Sequence, residues 1–415
     1  MFDVLYQRCA GLDVHKKTVV AACRYLDEHG ELVIKTRTFR TMTRDLLSLL
    51  DWLIEIGCTH VAMESTGEYW KPVYNILEGH CELLLVNANH VKNVPGRKTD
   101  ANDAQWIAQL LQAGLLRASF VPPAGQRELR DLTRHRSNFV RERTNFVNRL
   151  QKVLETANIK LASVASDVMG VSGRAMIDAL IQGQLAPADM ANLAKGRMRI
   201  RKDDLEGALE GRVKDHHRFI LTELLAQIDY INQTIDRFDK EIEKLMAPFE
   251  EAAALLDTIP GVAIEAAQII VSELGIDMDR FPTEGHAAAW CGVAPGNRES
   301  AGKRRPGGTR QGNQPLRKVL VQAAHAAVRT RGTYLSALYK RVAARRGKKR
   351  AIIAVAHSMV VSAYHMIKNK VAYNDLGSNY FDQRNKSAVA ERLVRRLSNL
   401  GLIVTVHDPE ALPAA

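Results

Sequence analysis

Cysteine is scarce in this chain: five residues in 415, at Cys9, Cys23, Cys58, Cys81 and Cys291. The number is odd and no CxxC pair occurs, which argues against both a disulfide framework and a zinc ribbon. Long apolar runs are also missing. The longest, "AIIAVAHSMVVSAYHMI", is interrupted by His357 and is short for a bilayer span. The opening "MFDVLYQRCAGLDVHKK" has no basic stretch followed by a long apolar one, so no signal peptide is legible. The expectation is a soluble cytoplasmic protein with no membrane partner. Acid is the third shortage: 46 Asp and Glu stand against 58 Lys and Arg, a net charge of +12 and a pI near 9.5. Such an excess names no fold, but it favours polyanionic partners, nucleic acid first; a basic protein without one is the competing reading. The hydrophobic fraction, 46%, is that of a globular chain. Its length exceeds one ordinary core, so two or three domains are expected.

The first 120 residues alternate between strand and helix signals. Cys9–Asp13 is a short apolar run, Thr18–Arg24 is β-branched and apolar, and Leu32–Phe39 alternates polar and apolar after the "DEHGEL" turn. Together they predict a three-strand antiparallel meander. A helix with Thr43 as its cap is expected to run to about Ile56, "HVAMES" reads as a fourth strand, and a helix near Val73–Leu77 leads to a fifth strand in "CELLLVNA". "TDANDAQWIAQLLQAG" reads as a helix with Thr99 or Asp100 at its N-cap and Gly114 near its end. The order βββαβαβα is that of an RNase H-like fold.

Residues 125–160 and 205–247 carry a different period. Leu221, Leu224, Ile228, Ile231, Ile235, Phe238, Ile242 and Leu245 recur by threes and fours, a heptad seam. A looser version, with Arg127, Arg130, Arg134 and Arg141 on its outer face, occupies the earlier segment. A long antiparallel coiled-coil hairpin is expected, packed within one subunit or serving as a dimer seam. Residues 160–204 read as short helices. After Pro248 a helical domain begins. Its "IPGV" turn is either a helix-hairpin-helix that holds a phosphate on backbone amides or an ordinary αα-corner. "YKRVAARRGKKR", with Arg345, Arg346, Lys348 and Lys349, holds seven basic residues and no acid. The chain thus divides into an α/β domain at 1–120, a helical hairpin at 121–248, an all-α domain at 249–370 and a C-terminal extension at 371–415.

Two sets of residues carry chemistry. Asp13 ends the first strand and Glu64 the fourth; Asp100 and Asp103 lie three apart at a helix start, hence on one face. If strands one and four are neighbours, four carboxylates can converge, and they would repel one another unless hard divalent cations such as Mg²⁺ lie between them. Two such ions can clamp the attacking and leaving oxygens of a phosphodiester. Taken singly, an Asp at a strand end is a turn or cap residue, and Asp100 can be only an N-cap. Glu68 competes with Glu64 across the same turn. An actin-like sugar kinase also begins with a strand ending in Asp, but needs further Gly-rich phosphate loops that are not seen here. The second set is Ser300 in "GNRESAGKRRPGG", crowded by Arg298, Lys303, Arg304 and Arg305. A cationic loop can hold a phosphate beside a serine hydroxyl, although from the residues alone a merely phosphate-contacting serine is the simpler reading.

The motifs "GLDVHKK", "AMESTGEYW", "GRKTDANDA", "TIPGV", "WCGVAPGNRESAG" and "RQGNQPLRKVL" together resemble the insertion-sequence "one-ten" family of DEDD transposases, over nearly the whole chain. The resemblance implies a RuvC-like first domain with Asp13, Glu64, Asp100 and Asp103 as an Mg²⁺ site, and a transposase domain in which Ser300 attacks a DNA phosphate. It also implies a structured guide RNA from the same element, pairing with donor and target DNA. A homo-oligomer (dimer or tetramer) joining the two sites across subunits, and a place in the bacterial cytoplasm at the nucleoid, follow as well. The sequence reads Ser-Ala-Gly after Glu299 where the family pattern has Ser-Gly, and it runs some forty residues past the expected end. The readings that compete are a hydrolytic RuvC-like nuclease or Holliday-junction resolvase, and a non-catalytic nucleic-acid-binding regulator.

Overall fold

Alternation along the first strand decides the architecture around it. In the computed structural model, which describes residues 5–65, 67–87, 91, 103–296, 299–300, 302–304, 308–309 and 311–405, the backbone alone being described at 299–300 and 303–304, strand β1 (Arg8–Val14) is buried on both faces. It pairs antiparallel with β2 (Thr18–Leu26), and β2 with β3 (Leu32–Arg40), through tight connections. On its other edge β1 pairs in parallel with β4 (His60–Glu64), and β4 with β5 (Glu82–Val86), giving the order β3-β2-β1-β4-β5. Side chains two apart share a face. Ala10, Leu12, Val14, Val61 and Met63 therefore point to one side, where helices α1 (Thr43–Ile56) and α2 (Trp70–Leu77) cover them with Leu46, Leu49, Leu53, Val73 and Leu77. Cys9, Ala62 and Val86 point to the other side and meet Trp106, Ile107, Leu110 and Leu111 of helix α3 (Asp103–Gln112).

The meander and the mixed sheet match the sequence reading, with local corrections. β1 continues one residue past Asp13. Thr43 is the first helical residue of α1 rather than its cap, because the carbonyl of Met42 already accepts from the amides of Asp45 and Leu46. The expected caps of α3, Thr99 and Asp100, lie outside the described residues. At the far end of α3, Leu115 N–H reaches Leu110 O across Gly114 at φ +66°, the left-handed stop the sequence predicts.

The chain falls into two compact units, Met1–Pro122 and Pro123–Ala415. The second is helical. Its spine is α4 (Ala124–Thr156) beside the helix Asp215–Met246. The two run antiparallel, since Arg136 pairs with Asp239 while Arg143, two turns on, meets Asn232. Buried seam positions include Leu221, Ile228, Ile231 and Ile242. Leu225, Thr234 and Met246 are also buried there, one residue beyond or before expected seam positions. At one end of the spine, helices between Leu161 and Leu209 close a core with Leu150, Leu154, Leu221 and Ile228. At the other, Leu129, Ile242 and Met246 join the core of the helices Glu250–Asp257, Ile264–Leu274, Gln314–Ala327 and Lys348–Asn369. That last helix is long and apolar enough to cross a bilayer by composition, but Ala351, Val355, Ala356 and Met359 are packed inside the protein. All five cysteines are free thiols.

Candidate functional site

The parity that builds the sheet also gathers the acids. Asp13 shares the α3 face with Cys9 and Gly11, and Glu64, the last residue of β4, shares it with Ala62. The parallel register Leu12↔Met63 makes Asp13 and Glu64 neighbours one step on. Asp103 opens α3, which lies very close to β1: a Cβ built on Gly11 would sit 2.3 Å from Ala104 O and 2.4 Å from Ala108 N. The helix is held across the sheet as well, by Gln105 to Thr36 (3.1 Å) and Arg24 to Gln112 (2.6 Å).

The electrostatics follow. Burial raises the carboxyl of Asp13 above its ordinary value. His15 opposes the rise, while the charges of Asp103 and Glu64 add to it. Two of the other predicted carboxylates, Glu64 and Asp103, thus act on Asp13; Asp100 lies outside the described residues. Among the described residues no three acidic, His or Cys groups form a closed ligand set. The donors, hard oxygens at the C-terminal ends of two inner strands and the start of a helix, are nonetheless of the type a divalent cation selects. Glu68 is exposed, and its carboxylate pairs with Lys71 at 2.5 Å. His15, which the residue pattern did not single out, places Nε2 3.1 Å from Asp13 Oδ2. Its two-residue spacing beyond Asp13 was the only signal.

In the helical unit the basic residues divide into those spent internally and those left for a partner. Glu273 is completely buried at the end of the helix Ile264–Leu274. Arg134 meets it with a two-pronged contact (2.6 and 2.9 Å), Arg130 with Nε at 3.1 Å and Asn313 with Nδ2 at 2.6 Å. Arg130 also donates to the carbonyls of Ser272 and Glu273. Burial pushes its pKa down to about 10 despite the carboxylate beside it. Arg130 therefore serves the fold, whereas Arg134 reaches out of the same network and Arg141 is exposed. Arg127 is partly buried at the start of α4. Arg345, Arg346, Lys348 and Lys349 are exposed around Gly347, where two helices meet.

Asn313 has two more tasks. Its Oδ1 caps the helix Gln314–Ala327 by accepting from Leu316 N–H, and its own N–H donates to Trp290 O at 2.9 Å. This contact ties together the two ends of the Gly-rich segment. Further along, Pro295 bridges Thr309, Gly296 N–H meets Gly308 O, and Glu299–Ser300 pairs antiparallel with Lys303–Arg304. Ser300 thus stands near the tip of a short ribbon whose base is fastened to Glu273 through Asn313. Arg298 and Arg305 lie outside the described residues. In the "IPGV" turn, a Cβ on Gly261 would meet Ala323 O and Ala327 N at about 2.5 Å, so the glycine is required by helix packing.

Two family models match the chain: one described as "Transposase" over residues 10–159, the other as "Transposase IS116/IS110/IS902 family" over residues 253–340. The chain belongs to the IS110 family of transposases. The first match takes in all four acids, the second Ser300 and Glu273. The transposase is similar to a probable family 20 transposase of Pseudomonas aeruginosa, 27% identical over 77% of this chain and 83% of the relative. It is also similar to the transposase for insertion sequence element IS1111A of Coxiella burnetii, 25% identical over 88% and 90%. A putative transposase of Sinorhizobium fredii is 24% identical over 76% and 74%.

Proposed function

We propose that this transposase cuts and rejoins DNA at a RuvC-like, RNase H-type carboxylate site with Ser300 as the nucleophile. The supporting observation is the convergence of Asp13, Glu64 and Asp103 on one sheet face, close enough that two of them raise the third. With Asp100 they would hold Mg²⁺, which supplies Lewis acidity toward a scissile phosphate oxygen. The oxygen of Ser300 gives up its proton and bonds to phosphorus while a DNA oxygen leaves and takes up a proton. A second strand's hydroxyl then displaces serine. One phosphoester bond forms for each that breaks, so the exchange needs no outside energy source. Arg141, Lys303, Arg304 and the exposed run Arg345–Lys349 hold nucleic-acid backbone. The resemblance further assigns a structured guide RNA, a homo-oligomer and the division into sheet domain, coiled-coil hairpin, transposase domain and C-terminal extension.

The test is incubation with Mg²⁺ and DNA bearing the element's ends, with and without co-purified RNA. Asp13→Ala abolishes cleavage and leaves DNA binding within about twofold. Ser300→Ala abolishes a denaturation-resistant protein–DNA band. Cleavage that survives Ser300→Ala without any such band would identify water as the nucleophile, as in a resolvase.

A further inference from the structure

The helical unit contains a cleft of about 800 Å³ between α4 and the helices Ile264–Leu274 and Gln314–Ala327. Small residues, Gly261, Ala263, Ala266 and Ala323, form much of its lining. Among the described residues four cations line it, Arg134, Arg136, Arg141 and Lys318, with one acid, Glu265. Among the described residues no aromatic lines it, so they offer no platform on which exposed bases could stack. Asn138, Thr144, Asn145 and Gln322 add neutral donors. Arg134 and Pro315 also line a second cleft of about 390 Å³, bounded by Gln311, Gly312 and Asn313 at the end of the Ser300 segment.

We infer that the larger cleft is a binding site for the phosphodiester backbone of duplex DNA, leading one strand toward the Ser300 segment. The inference rests on the reading of the chain as a DNA-cutting enzyme, and it is sharper than the basic character of the surface. Of the four cations, two are already committed: Arg134 to Glu273, and Arg136 to Asp239. Arg141 donates to the neutral Asn138 Oδ1 at 2.8 Å, and Lys318 is exposed with no internal ion pair among the described residues. Only these two release counterions when a phosphate arrives. Glu265, exposed on the opposite wall, repels the backbone.

The experiment is fluorescence anisotropy of the full chain with a labelled DNA duplex at several salt concentrations, without Mg²⁺, so that no cleavage step enters the readout. The double change Arg141→Gln with Lys318→Gln weakens binding about tenfold near 0.1 M salt and lowers the slope of log K against log salt by about two. Glu265→Gln strengthens binding about two- to threefold, a gain that misfolding does not produce. Arg136→Gln lowers thermal stability and leaves the slope within about half a unit of the parent. An unchanged slope in the double variant, or unchanged affinity in Glu265→Gln, overturns the site. So does a double variant that loses affinity only for an RNA duplex of the same sequence. Loss of catalysis in Ser300→Ala, or its persistence, has no bearing on these outcomes, so a failed cleft and a failed nucleophile are told apart.

Discussion

A single aspartate shows how this protein trades stability for chemistry. Asp13 sits half-buried near the C-terminal end of the central strand of a hydrophobic sheet, with two other acids in its field and one histidine to offset them. Its carboxyl is raised, so the native state holds a proton more tightly than the unfolded chain does. For an acid shifted in that direction, the cost to stability is absent well below the ordinary aspartate value of 3.8 and grows as pH rises through the folded value. Asp13→Asn is therefore more stable than the parent at pH 7, and the advantage disappears as pH falls toward 4. Calorimetry across that range checks it. Added Mg²⁺ raises the melting temperature of the parent alone, because the variant has lost the charge that draws the ion. Cleavage falls by about 10²–10³-fold, the loss expected when several kcal/mol of metal-assisted stabilisation is removed. A variant no more stable than the parent at neutral pH would mean that Asp13 is already neutralised by its protein neighbours, and the metal reading would lose its motive.

At the scale of elements, the site exists because α3 lies almost in contact with β1. Gly11, Ala104 and Ala108 make that approach, and Asp103 leads the helix that uses it. Gly11→Ala places a methyl where two backbone atoms already stand. Overpacking of this kind costs about 1–3 kcal/mol. The relief is for α3 to move away, which carries Asp103 from Asp13, so the variant loses cleavage out of proportion to its loss of stability in urea. The strands were legible from the sequence because period-two alternation and turn residues are local signals, and strand-end acids are visible in the same way. Gly11 was visible as a letter but its reason was not, since Ala104 and Ala108 lie more than ninety residues on. The Glu273 network was hidden for the same reason. Arg130 and Arg134 look like an outward basic face of α4, and only packing brings a buried carboxylate to them from another helix. The seam of the Asp215–Met246 helix was legible in period and off by a residue in places, because which neighbour fills each gap depends on the facing helix.

For the whole molecule, the division of charge is more informative than its total. Residues 1–122 hold 13 Lys and Arg against 14 Asp and Glu; residues 123–415 hold 45 against 32. The sheet unit is thus nearly neutral, and the helical unit carries the whole basic excess. Each unit also closes its own hydrophobic cores: every buried residue of the two sheet cores precedes residue 123, and every one of the two helical cores follows it. A unit with a complete core folds independently in general. The acids that would hold cations and the arginines that would hold phosphates therefore belong to different folding units. Expressed alone, residues 123–415 melt cooperatively and bind duplex DNA with nearly the salt slope of the full chain, while residues 1–122 fold and bind it at least about a hundredfold more weakly. Neither piece cuts DNA. Anisotropy titrations of the two pieces, after circular dichroism has shown each to be folded, decide the matter. Tight, salt-sensitive binding by the sheet unit alone would show that local patches around its acids, not the helical body, bring DNA to the enzyme.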